Sequence, residues 1–336
     1  MLKKGRELNK VFESRLKYRQ PVRKPLLLIS QIQRSGGTLM SQLFDGHSQL
    51  HVHPGELNIG RPKKWHYPQV DLSMKPGKIY DLYNEERQTK EYIDDGYQKP
   101  GKSHEKPDTN SVLKSLPFLF SLELQKKLFQ QFMEDFKVTD NRGMMDAYVS
   151  SYFNAWLDYQ DLYKEDASVK YWCTFSARLA VVDTNVDKIL HDFPQGKILT
   201  MFRNPASWYA SAKKHADRYG DLEKSMNLWV KTYKTSLDYV KKYPDNVYLI
   251  NFDQLLQDVP STMKKLSEML GIQYEEILSM PTFNRMKIAS DSSFTAKIGI
   301  DKSAADRKKF LEPEQVEQVE KISKETYDRM LEESWN

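Results

Sequence analysis

Cysteine is nearly absent from this sequence, which has a single one, Cys173, among its 336 residues. One cysteine excludes a disulfide within the chain, and its scarcity is typical of proteins from a reducing compartment. Long hydrophobic runs are also lacking, since no stretch approaches the roughly eighteen apolar residues of a membrane span. Residues 1–20 contain no apolar core of the kind found in signal peptides. We therefore expect a soluble, cytoplasmic protein without a transmembrane segment.

Charge of one sign is not in large excess. The 51 basic and 46 acidic residues are mixed along the chain, with a net charge of +5 and a pI near 8.8. A nucleic-acid-binding protein would show a basic stripe or a known module, and neither is present, so no nucleic-acid partner is expected. The 39% hydrophobic content is ordinary for a globular protein and excludes disorder as the main state.

The stretch Pro25–His47 contains a pattern for anion binding. Leu26–Ile29 is a short apolar run typical of a buried parallel strand, and Gln31–Gly37 is polar and turn-like. Apolar residues at helical spacing then resume over Thr38–Phe44. A strand, a glycine-bearing loop and a helix in this order direct backbone N–H groups and the positive end of the helix dipole at one point.

The loop lacks the Lys-Ser or Lys-Thr pair that a Walker A motif places after its glycines. Its cation, Arg34, precedes the glycines, which weakens an ATPase interpretation. The segment Arg34–Thr38, RSGGT, resembles the loop of sulfotransferases that use 3′-phosphoadenosine-5′-phosphosulfate (PAPS). Gly37 departs from the usual Ser or Thr of that loop, so one hydroxyl contact is not expected here. A plain turn is the alternative interpretation.

A second stretch, Gly196–His215, repeats the strand, turn and helix order. Arg203 lies at the predicted carboxyl end of the strand 197–202, and Ser211 lies about two helical turns further on. PAPS-dependent enzymes use an Arg and a Ser at this spacing to hold the 3′-phosphate, so the resemblance implies that role here. Arg203 alone would equally suit a turn, but the two motifs together favour a sulfotransferase.

The segment Asp45–Glu56 holds several histidines and one glutamate. His51 and His53 would share one face of a strand, but no further ligands stand at a familiar zinc spacing, so no metal is expected. The resemblance instead implies that Glu56 lies near the sulfuryl group and acts as general base, with His53 as second choice. The alternative is that Glu56 caps a helix or forms a surface ion pair.

The middle of the chain is less regular. Residues 60–115 are rich in proline and polar residues and indicate a loop or lid, and the resemblance implies acceptor contact there. Residues 116–163 have helical spacing, with an aromatic stripe that suits either core packing or a sugar-stacking platform. A strand is predicted over 169–174. Arg178 stands near where related bacterial sulfotransferases carry a lysine.

The last third predicts a strand over 246–252, a helix beginning near Pro260 and ending at Gly271, and a final helix over 312–335. The Ser-rich segment 290–299 resembles a loop that covers the nucleotide in related enzymes. We predict a lead-in helix within 1–24 and a sulfotransferase domain over 25–336 with an insertion at 60–165. The fold class is α/β: a P-loop-like, three-layer fold with a central parallel sheet flanked by helices.

The function implied by the resemblance is transfer of a sulfuryl group from PAPS to a hydroxyl of a saccharide, lipid or small metabolite. A P-loop kinase or hydrolase and a non-catalytic nucleotide-binding protein are the alternatives, and a homo-oligomer is left open. Arg34, Glu56 and His53 are the predicted catalytic residues. The predicted nucleotide-binding residues are Arg34, Ser35, Gly36, Gly37, Thr38, Leu39, Arg203, Ser211, Ser293, Phe294 and Lys297.

Overall fold

Short apolar runs of the sequence form a five-stranded sheet in which every strand pairs in parallel. The structure, a computed structural model, describes residues 2–57, 66–67, 69–83, 93, 118–179, 182, 184–288 and 299–335, with side chains from residue 9 onward. The strands are β1 Leu26–Ile29, β2 Leu50–Glu56, β3 Tyr171–Phe175, β4 Lys197–Phe202 and β5 Val247–Asn251. The predicted strands are therefore present, within two residues at each end.

The order of the strands across the sheet is β2-β3-β1-β4-β5, so β1 is central and pairs with both β3 and β4. The chain passes from β1 to one edge, returns through β3, and then crosses to β4 on the other side. This reversal creates a switch point at the carboxyl ends of the central strands, where open α/β sheets bind their ligands. The loops that follow β1 and β4 therefore meet.

Alternate residues of β1 face opposite sides of the sheet. Leu26 and Leu28 belong to one hydrophobic cluster, whereas Leu27 and Ile29 belong to another. Because both faces are buried, the strands are continuously apolar. Helices cover both faces and complete the three predicted layers. The helices are α1 Leu2–Lys17, α2 Gly37–Phe44, α3 Pro76–Tyr83, α4 Leu122–Asp135, α5 Asn141–Ala155, α6 Asn185–Asp192, α7 Pro205–His215, α8 Leu222–Lys242, α9 Phe252–Gln257, α10 Val259–Leu270 and α11 Pro313–Glu332.

The helix ends follow from local sequence. Pro260 lies in the first turn of α10, where its missing N–H costs nothing, and Gly271 ends the helix with a φ of 65°. The lead-in helix α1 ends at Lys17, short of the predicted limit. No helix within the described ranges has both the length and the apolarity needed to cross a bilayer.

The connection between β2 and β3 contains α3, α4 and α5 in its described part. The predicted aromatic stripe is buried there, but only two of its members are helical, because α5 ends at Ala155. Its members are Tyr148, Tyr152, Trp156 and Tyr159, all at most 7% exposed. The stripe is thus part of the core, as the first of the two interpretations predicts. A lid function of residues 60–115 remains a prediction, since most of them lie outside the described residues.

An arginine that forms an ion pair within α5 also connects this helix to the start of the sheet. The guanidinium Nε of Arg142 donates to both oxygens of Asp146 at 3.0 Å, and the same side chain donates to the carbonyl of Lys24, just before β1. Asp146 is 1% exposed, and burial raises the pKa of its carboxyl to about 6 despite the nearby arginines.

This burial predicts a pH dependence of stability. The folded-state pKa of Asp146 lies above its ordinary value of 3.8, so the folded chain binds a proton that the unfolded chain does not. The resulting stabilisation is complete below the ordinary pKa and is lost as pH rises through about 6. Relative to Asp146→Asn, the wild-type free energy of unfolding should rise by about 2 kcal/mol between pH 7 and pH 4.5, measured with urea. Asp135→Asn, at a more exposed ion pair, is the control, and parallel curves for wild type and Asp146→Asn would contradict the prediction.

Candidate active site

A cavity of about 230 Å³ opens at the carboxyl edge of the sheet. Residues from seven separate parts of the chain line it: the loop after β1, the end of β2, the end of β3, the end of β4, the end of α7, the start of α9 and the segment after residue 300. The lining residues are Gln31, Gln33, Arg34, Gly36, Gly37, Thr38, Leu39, Glu56, Phe175, Ala177, Arg203, His215, Phe252, Asp301, Ala304 and Arg307.

The loop after β1 has the form of an anion cradle. Gly36 caps α2 with a φ of 100° and makes no side-chain cap hydrogen bond, and Arg34 also has a positive φ, of 71°. The first backbone N–H groups of α2 are therefore directed toward the cavity without a capping side chain. Thr38 and Leu39 in the first turn line the same space.

The hydroxyl of Ser35 faces the protein interior. Tyr233 donates its hydroxyl proton to the carbonyl of Met201 at 2.9 Å, so its oxygen accepts from the Ser35 hydroxyl at 3.0 Å. Ser35 is fully buried. It therefore anchors the loop through its side chain and offers a ligand only its backbone.

Arg203 lies at the carboxyl end of β4 and Ser211 in α7, as the spacing predicts. Nη1 of Arg203 donates to Oγ of Ser211 at 3.3 Å and to the carbonyl of Arg34 at 3.2 Å. Its Nη2 donates to the carbonyl of Ala304. One guanidinium therefore connects the loop after β1, helix α7 and the segment after residue 300.

A further arginine, Arg307, was not predicted from the sequence. It lies in the 3₁₀ segment Lys302–Phe310, where its Nη1 donates to Oγ of Ser211 at 3.1 Å and its Nη2 to Asp301 at 3.2 Å. The side chain is 4% exposed. Two arginines thus contact one serine hydroxyl at the edge of the cavity.

The positive charges lie close enough to influence one another. Burial lowers the pKa of Arg203 to about 10, Asp253 opposes this shift, and Arg307 and Arg34 add to it. The guanidinium of Arg203 also lies 5.3 Å from the centre of the Phe252 ring, within cation–π range. The cavity therefore has a strongly positive wall that suits an anion.

Comparison with known proteins agrees with this geometry. A model of the sulfotransferase family matches residues 25–276, which run from just before β1 to six residues beyond α10. The chain belongs to the sulfotransferase family. This confirms the family inferred from the loop and from the Arg203 segment. A search of curated proteins gave no match.

Solved structures of sulfotransferases have a similar but distant fold. The sulfotransferase domain from the curacin biosynthetic pathway is 17% identical, with 90% of this chain and 98% of that domain covered and a TM-score of 0.46. The sulfotransferase domain from the olefin synthase of Synechococcus PCC 7002 is 17% identical, with coverages of 90% and 96% and a TM-score of 0.47. Retinol dehydratase in complex with retinol and PAP is 14% identical, with coverages of 91% and 82% and a TM-score of 0.39. Similarity at this level assigns no residue role or substrate.

Glu56 lines the cavity of this sulfotransferase from the end of β2, where that strand is irregular. The register with β3 shifts between Val52 and Glu56, and Glu56 then pairs with Phe175. Pro54 lies within the shift and has no N–H to donate to the ladder. The irregular part of β2 therefore ends at the residue that lines the cavity.

His53, the second-choice base, is not among the residues that line the cavity. It is 5% exposed, and its ring lies 4.3 Å from that of Tyr152 in α5. His51 is buried as well, with Nδ1 3.1 Å from the Tyr159 hydroxyl, and burial lowers its pKa to about 3. Within the described ranges, no group of three or more His, Cys, Asp or Glu side chains is arranged to hold a metal ion.

Arg178 lies just after β3, and its guanidinium hydrogen-bonds to other side chains of the protein. Its Nε donates to the side chain of Gln33, and its Nη2 donates to the hydroxyl of Tyr219 at 2.5 Å. The Gln33 carbonyl accepts from the indole of Trp208 at 2.8 Å. The predicted contacts Ser293, Phe294 and Lys297 fall outside the described residues.

Gly36 is required by both its backbone and its neighbour. Its φ of 100° disfavours any other residue, and a Cβ built there would lie 2.1 Å from the Phe252 ring. Gly271 provides a matched control, since it has a φ of 65° but no atom within 4 Å of an added Cβ.

We predict that Gly36→Ala lowers the free energy of unfolding by at least about 2 kcal/mol, against about 1 kcal/mol for Gly271→Ala. Chemical denaturation measures both. Combining Gly36→Ala with Phe252→Ala should cost less than the sum of the single changes, because the ring that opposes the new methyl is gone. Equal costs at positions 36 and 271 would show that the ring contact does not matter.

Proposed function

We propose that this sulfotransferase moves the sulfuryl group of PAPS to the hydroxyl of an acceptor. The observation that carries the proposal is the pairing of two anion-binding clusters in one cavity. The loop 34–39 forms one wall, and Arg203 with Arg307 forms another. A nucleotide with anionic groups at both its 5′ and 3′ positions fits two such clusters.

Arg203, Arg307 and Ser211 would hold the 3′-phosphate. The Oγ of Ser211 already accepts from both arginines, so its own proton can be donated to a phosphate oxygen. Guanidinium groups suit a terminal phosphate because they donate in a planar fork. Within the described residues the buried Nε of Arg203 has no hydrogen-bond partner, which leaves it a further donor.

The loop would hold the 5′ end of the nucleotide. Backbone N–H groups of Ser35, Gly36, Gly37, Thr38 and Leu39 would bind the 5′-phosphate, with the Thr38 hydroxyl as a further donor. Arg34 would neutralise charge on the sulfuryl group and on the oxygen that leaves with the nucleotide. Ser293, Phe294 and Lys297 would cover the nucleotide from the segment 289–298.

Glu56 would act as the general base. The acceptor hydroxyl forms a new S–O bond while the bond between sulfur and the 5′-phosphate oxygen breaks, with the two oxygens in line. The hydroxyl proton passes to the Glu56 carboxylate, and the nucleotide leaves as adenosine 3′,5′-bisphosphate (PAP). The insertion 60–165 would bind the acceptor, which we propose to be a saccharide, lipid or small metabolite.

Nucleotide binding tests the two-cluster arrangement. Thermal shift should show stabilisation by PAP and none by ATP or NAD at equal concentration. Calorimetry should give tighter binding of PAP than of AMP, which lacks the 3′-phosphate. In Arg203→Met this preference should fall about 100-fold, the value of two charged hydrogen bonds.

Arg19→Met is the matched control, because Arg19 is an ion-paired arginine outside the cavity. A preference for PAP over AMP that survives in Arg203→Met would remove Arg203 from the 3′-phosphate site. Stabilisation by ATP with magnesium, with turnover of ATP, would favour a kinase or hydrolase instead.

Substitution of the base should act on the chemical step. In transfer of labelled sulfate from PAPS to acceptors in a cell extract, Glu56→Gln should lower the rate by about 10²–10⁴-fold. Its affinity for PAP should stay within about twofold of wild type, since the carboxylate is assigned to the acceptor side. Glu275→Gln, which removes a half-buried carboxylate outside the cavity, should retain the wild-type rate. A small rate loss accompanied by weaker PAP binding would assign Glu56 to nucleotide binding or to folding.

A further inference from the structure

Gln31 is a buried residue that lines the cavity. It lies two residues after the end of β1 and is 1% exposed. Its backbone carbonyl accepts from the N–H of Arg178 at 2.8 Å, which fixes the chain at this point. The carboxamide therefore lies beside the loop that follows β1.

The carboxamide oxygen of Gln31 is buried and has no hydrogen-bond partner among the described residues. Buried polar groups in native proteins are almost always hydrogen-bonded, so an exception inside a binding cavity indicates a partner that arrives with the ligand. The contrast with Gln33 is direct. The Gln33 side chain accepts from Tyr219 at 3.1 Å and from Arg178, and therefore belongs to the scaffold.

The carboxamide also fills the space next to Gly37. A Cβ built on Gly37 would lie 2.3 Å from Nε2 of Gln31, 2.6 Å from its Oε1 and 2.6 Å from the edge of the Phe175 ring. The amide therefore takes the position that a side chain at residue 37 would have. It lies next to the loop and to Phe175 of β3, the residue with which Glu56 pairs.

We infer that Gln31 is a binding residue for the transferred sulfuryl group, with its amide NH₂ donating to a sulfuryl oxygen. This inference rests on the proposed function, since it takes PAPS as the donor. The two ends of a carboxamide exchange by rotation about the last side-chain torsion, so the NH₂ can take the place of the unpartnered oxygen and donate from there to an anion. Glycine at residue 37 then leaves room for the amide of Gln31 and for the ring of Phe175.

Binding of PAP and PAPS, measured by calorimetry without acceptor, tests the inference. Gln31→Met keeps the length of the side chain and removes its hydrogen-bonding groups. It should weaken binding of PAPS about tenfold, the value of one hydrogen bond to a charged group, and leave PAP, which lacks the sulfuryl group, within about twofold. Gln125→Met is the control: Gln125 is equally buried but accepts from Tyr80 outside the cavity, so both affinities should be unchanged.

A second variant tests the same contact by changing the residue next to the Gln31 amide. Gly37→Ala keeps Gln31 but displaces its amide, and should also weaken PAPS more than PAP. In Gln31→Ala with Gly37→Ala, the loss should be smaller than the sum of the single losses, because the amide is no longer present to be displaced. If Gln31→Met does not fold, Gly37→Ala and the double variant decide the question.

The outcomes separate the inference from the function on which it rests. Equal weakening of PAP and PAPS would assign Gln31 to loop support, and unchanged affinities would remove it from the site; either result overturns the inference while PAP binding by the wild type upholds the nucleotide site. Failure of the wild type to bind either nucleotide would overturn the proposed function, and the role of Gln31 with it.

Discussion

The cavity depends on a single buried guanidinium. Arg203, 2% exposed, donates to the loop after β1, to α7 and to the segment that contains Arg307. These three elements are distant in sequence and meet only because the strand order places β4 next to β1. The residue assigned to bind the nucleotide therefore also joins the walls of the cavity, so binding and local structure are coupled at one side chain.

This arrangement has an electrostatic cost in the absence of an anion. Burial lowers the pKa of Arg203, and Arg307 and Arg34 lower it further; the counter-charges near the arginines in the part of the chain that the structure describes include Asp253 beside Arg203 and Asp301 beside Arg307. Burial in turn raises the pKa of Asp253. A phosphate dianion among the arginines would replace repulsion with attraction in a place of low dielectric, where such interactions are strong. The site is thus organised for an anion before one binds, which reduces the reorganisation that binding requires.

The sequence could predict the features that depend on residues close together in the chain. Each strand is a short apolar run, and proline, glycine and capping residues define where helices begin and end, so the layers and the positions of Arg34, Arg203 and Ser211 follow from spacing. Arg307 and Gln31 could not be found this way, because their importance comes from tertiary contacts. Strand alternation puts His53 and Glu56 on opposite faces of β2, because they are three residues apart, but it does not say which face carries the cavity. The register shift of β2 between Val52 and Glu56 was also not predicted, because a period of two does not reveal such an irregularity.

The two adjacent glycines of the loop are required for different physical reasons. Gly36 has a positive φ and lies against the ring of Phe252, so both its backbone and its surroundings exclude a side chain. Gly37 begins α2, and the atoms nearest the space beside it belong to Gln31 and Phe175. Glycine at position 36 is therefore required by the backbone geometry of the turn and by a neighbouring ring. Glycine at position 37 is required by neighbouring side chains alone. A smaller residue at position 31 would remove one of the contacts that oppose a side chain at position 37. It would not remove the constraint on position 36, which comes from the positive φ and the Phe252 ring.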